Sequence, residues 1–195
     1  IKDNEKTCRF IFISTDFIFN GLAGPYNESS APCPISVYGA TKYLAEQIVM
    51  PARKDNLVIR TTGLFGFHPT RANFLHWILA KLKEGFPFNV DNVNITARTD
   101  VKELARIIME IAISQAANVP ILNVVGGGLT TMYQFACDIA TVFGFDQSLV
   151  RPSDDVSFLA RRPINGGLTT ELARSLGYRT KPKKQSLKEL ALLWK

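Results

Sequence analysis

Two kinds of hydrophobic run alternate along the chain. The first is short and nearly all apolar: residues 9–14 (RFIFIS), 56–61 (NLVIRT) and 120–125 (PILNVV). Runs of this length, rich in β-formers and bounded by turn residues, predict strands buried on both faces. The second kind repeats at helical spacing. Residues 73–83 place Phe74, Ile78 and Leu82 on one stripe with Leu75 and Leu79 beside them. Residues 101–116 turn Leu104, Ile107, Ile108 and Ile111 inward behind an Asp100 cap. A helix over 37–50 has Ser36 as its N-cap and Pro51 as its stop. A further helix starts at a Thr130 or Thr131 cap and ends near Phe143 and Gly144. Helices are also predicted near 170–176 and 186–194, short strands within 88–96, loops over 16–34 and 63–71, and an irregular tail from Arg151. Strands alternating with helices predict an α/β fold with parallel strands, which bind ligands beyond the carboxyl ends of those strands.

Three groups fall at those ends: Ser14 with Thr15, Thr61 with Thr62, and Gly126 with Gly127. Past the first, after a loop rich in Gly, Pro, Asn and Ser, come Tyr38 and Lys42. Positions i and i+4 share a helix face, so phenol and ammonium can serve one site. The positive charge favours phenolate and makes the tyrosine a poised proton donor. A threonine hydroxyl at the strand end can grip the oxygen being protonated. The plainer alternatives are a packing tyrosine, a surface Lys42–Glu46 pair and a threonine that merely ends its strand.

Composition adds limits. The 195 residues suffice for one large domain or two small ones, and 46% hydrophobic with 21% charged residues indicates an ordinary globular protein. Cys8, Cys33 and Cys137 lack metal-ligand spacing, so reduced structural thiols are expected and no metal. No apolar run reaches membrane-spanning length and no leader opens the chain, giving a cytoplasmic expectation without a membrane partner. The net charge is +6, but the basic residues are dispersed apart from Lys181, Lys183 and Lys184 in an expected late loop. That dispersal argues against nucleic acid, while the modest positive field suits a diphosphate-bearing substrate. Arg71, Arg98, Arg161 and Arg162 are candidates for gripping it, each also readable as a solvated arginine.

Residues 10–46 carry Ser14-Thr15-Asp16, Phe19-Asn20-Gly21, Pro25-Tyr26-Asn27-Glu28, Pro32, Pro34 and Tyr38-Gly39-Ala40-Thr41-Lys42 in that order. Later come Arg60-Thr61-Thr62-Gly63, Leu122 to Gly127 followed by Thr130-Thr131, and Arg162-Pro163-Ile164-Asn165. This ordered set resembles the extended short-chain dehydrogenase/reductase family, and within it the dTDP-4-dehydrorhamnose reductase branch. The resemblance implies the C-terminal part of a Rossmann-like, doubly wound parallel sheet plus a smaller mixed substrate-binding region. It divides the chain into residues 1–62, the second half of an NAD(P)-binding domain, and 63–195, mainly substrate-binding, with a strand near 120–125 returning to the sheet.

The resemblance further implies NADPH or NADH as cofactor and a nucleotide-linked 4-keto sugar as substrate. Thr15, Tyr38 and Lys42 would be catalytic; Ser14, Tyr38, Lys42 and Thr62 would face the cofactor; Thr15, Phe17 and Arg162 would face the sugar nucleotide. Phe17 and Gly63 stand where the branch usually has Tyr and Trp, which bears on the identity of the sugar. The glycine-rich phosphate loop of the family, within about the first hundred residues expected of it, does not precede Ile1, so weak cofactor binding by these 195 residues alone is expected. Two other readings share the motifs: a non-catalytic regulatory subunit like the methionine adenosyltransferase β-subunit, and a nucleotide-sugar epimerase or dehydratase with Asp16 as its acidic helper. A homodimer or a regulatory partner enzyme is the expected assembly.

Overall fold

The computed structural model describes residues 9–68, 70, 72–114, 118–155 and 160–194. The first strand, β1 (Ile11–Thr15), passes through a 3₁₀ turn at Asp16–Ile18 and a long connection into α1 (Val37–Ala52). Ser36 starts α1 as the sequence predicts, its hydroxyl accepting a hydrogen bond from the Gly39 amide. Pro51, expected to stop the helix, sits inside its last turn, and α1 runs on to Ala52. The ring is exposed there, so the carbonyl it leaves without an amide can meet water.

Next come β2 (Leu57–Thr61) and β3 (Leu64–Phe65), the latter inside the segment expected to be loop. Helix α2 (Phe74–Glu84) is capped by the Asn73 side-chain oxygen and closed by Gly85 at φ 74, a left-handed position that favours glycine. Then follow β4 (Phe88–Asp91), β5 (Ile95–Ala97), β6 (Thr99–Asp100) and α3 (Val101–Ser114), where Asp100 accepts from the Lys102 amide. The last strand of the main sheet is β7 (Ile121–Asn123). After β8 (Leu129–Thr131), Thr131 and Gln134 cap α4 (Met132–Val142) reciprocally. The tail is more regular than expected. It holds β9 (Val150–Ser153), α5 (Glu171–Ser175) and α6 (Lys183–Leu193). Strand β9 has little apolar signal of its own and forms by pairing in parallel with β4. The basic cluster is not a free loop: Lys183 and Lys184 open α6 and pair with Asp138, and Lys181 pairs with Glu189.

The main sheet has the order β1-β2-β7, all parallel, with Ile11 opposite Leu57, Thr15 opposite Thr61 and Val58 opposite Ile121. Side chains alternate across it. Leu57 and Ile59 join Leu104, Ile107, Ile111, Leu122 and Ala173, a core shared with α3 and α5. The opposite face of β1 and β2 carries α1. A second core joins α2, α4 and α6 through Leu75, Ile78, Leu79, Phe135, Ile139, Leu187 and Leu190.

One charged residue interrupts the central strand. Arg60 turns toward α1 and meets Glu46 through two hydrogen bonds, Nε to Oε1 at 3.1 Å and Nη2 to Oε2 at 2.8 Å. Both side chains are buried, with 2% and 0% exposure. Arg60 also donates to the Glu28 carbonyl, while the Glu28 carboxylate accepts from the Asn123 amide. Tyr26 stacks on Phe19 with ring centroids 4.2 Å apart, and its carbonyl accepts from the Asn123 side chain. The long connection is thereby pinned across β2 and β7. Glu46→Ala strips Arg60 of its only carboxylate partner among the described residues and should destabilise the fold by about 3–5 kcal/mol in urea unfolding. The double replacement Glu46→Leu with Arg60→Met should recover most of that loss; equal losses in both variants would contradict the assignment.

Candidate functional site

The first turns of α1 lie against the end of β1. A side chain at Gly39 would strike the Phe17 carbonyl, so glycine is what lets the helix approach the 3₁₀ turn this closely. Tyr38 is 52% exposed, and its ring meets Phe17 edge-on with centroids 5.6 Å apart. Lys42 does not pair with Glu46, which Arg60 holds. Its ammonium donates to the Ile13 carbonyl at 2.7 Å and lies 4.6 Å from the Phe12 ring centre. Tyr38 and Lys42 are thus one turn apart on the helix that covers β1.

Behind Phe17, polar groups gather at the strand ends. Thr15 caps the 3₁₀ turn by accepting from the Phe17 amide, and its hydroxyl donates to Asp16 Oδ1 at 3.2 Å. Thr96 donates to Asp16 Oδ2 at 3.0 Å and lies 3.0 Å from the Thr62 hydroxyl. Burial pushes the Asp16 carboxyl up to about 6, and the hydroxyls of Thr62, Thr96 and Thr15 pull the other way without cancelling it. For Thr15 to donate to another oxygen it must leave Asp16, because a hydroxyl has one proton to give.

Asp16, Phe17, Thr62 and Arg98 share a cavity of about 150 Å³ with Arg162 and Pro163. Arg98 is a buried residue, not the solvated one its sequence context suggests, with 7% exposure. Its guanidinium stands 5.8 Å from the Phe74 ring and 5.6 Å from that of Phe135. Burial lowers its pKa to about 10, opposed by Asp16 and Asp91 and assisted by Arg162. Gly63, at φ 56, makes the room: a side chain there would strike the Ala97 carbonyl and crowd Arg98 Cδ at 3.2 Å. A large indole at 63 and Arg98 in this place exclude each other.

The sequence-predicted residues therefore fall into two neighbouring groups joined by Phe17. Tyr38, Lys42, Ser14 and Thr15 lie at the α1–β1 junction; Thr62 faces Thr96 and Asp16 on the cavity wall; exposed Arg162 stands at its mouth. Arg161 lines an adjoining groove of about 310 Å³. Arg71 lies outside the described residues. Thr96 was not foreseen, since nothing local marks a strand threonine as the partner of an aspartate 80 residues away. Among the described residues, no cluster of three or more His, Cys, Asp or Glu could hold a metal ion, and no helix is long and apolar enough to cross a membrane.

Fold and site together define a Rossmann-like protein of the short-chain dehydrogenase/reductase kind. The computed structure overlays that of a dTDP-4-dehydrorhamnose reductase from Clostridium acetobutylicum with a TM-score of 0.86 at 27% identity, covering 95% of this chain and 65% of that one. It overlays the reductase from Bacillus anthracis, solved in complex with NADP, with a TM-score of 0.85 at 25% identity, covering 95% and 66%. The model of the RmlD substrate binding domain matches residues 4–193, and the chain belongs to that family. Its relatives include methionine adenosyltransferase 2 subunit beta from Pongo abelii, 29% identical over 189 residues, covering 86% of this chain and 52% of the relative. The dTDP-4-dehydrorhamnose reductase of Shigella flexneri is 31% identical over 180 residues, covering 86% and 59%. The chain spans about half the length of the first of these relatives.

The raised carboxyl has a pH signature. Between about 3.8 and 6 the folded state keeps a proton on Asp16 that the unfolded chain has released, so stability falls as pH rises through that window. The shift corresponds to about 3 kcal/mol. Relative to wild type, Asp16→Asn should therefore gain up to about that amount between pH 4 and 7.5 in urea unfolding. Parallel stability curves for the two proteins would contradict the buried-carboxyl assignment.

Proposed function

We propose that this chain belongs to an NAD(P)-dependent reductase of a nucleotide-linked 4-keto sugar, with Tyr38 as general acid. The observation that carries the reading is the placement of Tyr38 and Lys42 over the end of β1, the phenol half exposed and the ammonium fixed on a β1 carbonyl. Residues 1–62 then contribute to the cofactor-binding sheet and 63–195 mainly hold substrate, β7 returning to the sheet.

The chain's own groups suit NADPH or NADH. Ser14 Oγ is buried without a hydrogen-bond partner among the described residues. It lies two residues after Phe12, hence on the strand face that Lys42 covers. A free hydroxyl, an ammonium and a phenol on one face fit the hydroxyls and carboxamide of a nicotinamide riboside. The bound cofactor supplies the hydride, which no side chain can provide. Tyr38 gives its proton to the carbonyl oxygen as negative charge develops there. Thr15, released from Asp16, orients that oxygen. Phe17 buttresses the phenol and borders the space for the sugar ring, and Arg162 at the mouth faces the diphosphate.

A regulatory subunit is the second reading, favoured by the relatives named methionine adenosyltransferase 2 subunit beta. It requires a stoichiometric partner enzyme, while the reductase requires none beyond a homodimer. In the full-length protein, Tyr38→Phe should cut substrate-dependent NADPH oxidation by about 10²–10⁴-fold. Undiminished oxidation sinks the reductase reading; no oxidation in wild type, with co-purification of a methionine adenosyltransferase, selects the regulatory one.

A further inference from the structure

Arg98 is more than the reductase reading asks for. A buried guanidinium is expensive unless charges and hydrogen bonds compensate it. Here Nε has no hydrogen-bond partner among the described residues, and the flanking Phe74 and Phe135 rings offer only cation–π contact. Asp16 and Asp91 act on it through their charge, yet neither forms an ion pair with it. The backbone around it is cleared by two glycines: a side chain at Gly63 would crowd Arg98 Cδ, and one at Gly126 would strike the Arg98 carbonyl. The link between β5 and β6 thus holds a cation without an ion pair against the cavity shared by Asp16, Phe17 and Thr62.

We propose that this cavity selects a sugar bearing a carboxylate, with Arg98 as the residue that reads it. The inference rests on the nucleotide-sugar reading above and narrows its substrate class to acidic sugars. Size places the sugar here and the nucleotide elsewhere: about 150 Å³ is below the roughly 300 Å³ where pockets for whole drug-sized ligands begin. The adjoining groove of about 310 Å³ shares Asn94 and Arg162 with the cavity and gives the nucleotide and its diphosphate a place outside. The anion that reaches Arg98 is then one carried by the ring, on the side of the cavity lined by Phe17. A carboxylate is planar and matches the guanidinium fork. It brings a single charge beside Asp16, where a phosphate dianion would meet stronger repulsion.

The test uses three probes differing in one feature each: UDP-glucuronate, UDP-glucose and UDP, titrated calorimetrically into the full-length protein. Wild type should bind the glucuronate at least about tenfold more tightly than the glucose compound, some 1.4 kcal/mol. R98M should bring that ratio to one, leave UDP affinity unchanged and leave the melting temperature unchanged or higher, because it removes a buried charge. R98K, keeping the charge but not the fork, should retain a smaller preference and covers the case of an R98M protein that does not fold. A wild-type ratio of one, a preference that survives in R98M, or failure of wild type to bind either sugar nucleotide overturns the proposal. So does an equal loss of UDP affinity in R98M, which would assign Arg98 to the diphosphate. Binding is read without turnover, so a protein that discriminates the sugars but oxidises no NADPH contradicts the reductase reading and leaves this inference standing.

Discussion

The ion pair between Arg60 and Glu46 decides where everything else sits. It ties the middle strand of the parallel sheet to the helix that bears Tyr38 and Lys42, with neither charge in contact with water. An apolar pair of similar volume could hold helix to strand as firmly. What the two-pronged contact adds is register. Two short hydrogen bonds in a fixed fork allow little sliding of α1 along β2, and Lys42 lies one turn before Glu46. The third bond of Arg60, to the Glu28 carbonyl, extends this constraint to the long connection and through Asn123 to β7. One guanidinium therefore coordinates two strands, a helix and a loop.

The second constraint is the crowd of hydroxyls around Asp16. Thr15 at the end of β1, Thr62 just past β2 and Thr96 within β5 surround a carboxyl whose burial favours its protonated form. The arrangement couples the strand-end Thr15 to the cavity holding Arg98. A proton on Asp16, the orientation of the Thr15 hydroxyl and an anion near Arg98 all act on the same few atoms. Charge in one part is felt in the other because so little water separates them.

Much of this was legible in the residues. The three apolar runs gave the three parallel strands, and Ser36 and Asp100, with Thr131 of the Thr130–Thr131 pair, marked helix starts through local hydrogen bonds. That Tyr38 and Lys42 share one face of α1 followed from their spacing. The pieces around Tyr26, Glu28 and Asn165 could be seen but not understood until the fold brought them together. Tyr26 stacks on Phe19, Glu28 accepts from Asn123, and Asn165 donates to the Gly24 carbonyl across 141 positions. Long-range polar contacts leave no periodic trace. For the same reason a surface Lys42–Glu46 pair and a solvated Arg98 stood open as plainer readings, and β9 read as irregular tail. In each case tertiary burial, not local propensity, set the outcome.

The central claim is that α1 delivers a phenol to a sugar carbonyl at the carboxyl end of β1. The most direct measurement is a crystal structure of the full-length protein with a nucleotide-linked 4-keto sugar and oxidised cofactor. The account predicts the sugar's C4 oxygen within about 3.2 Å of Tyr38 Oη, hydrogen-bond reach for a general acid. A sugar ordered elsewhere on the molecule, with the phenol facing only solvent, would contradict it.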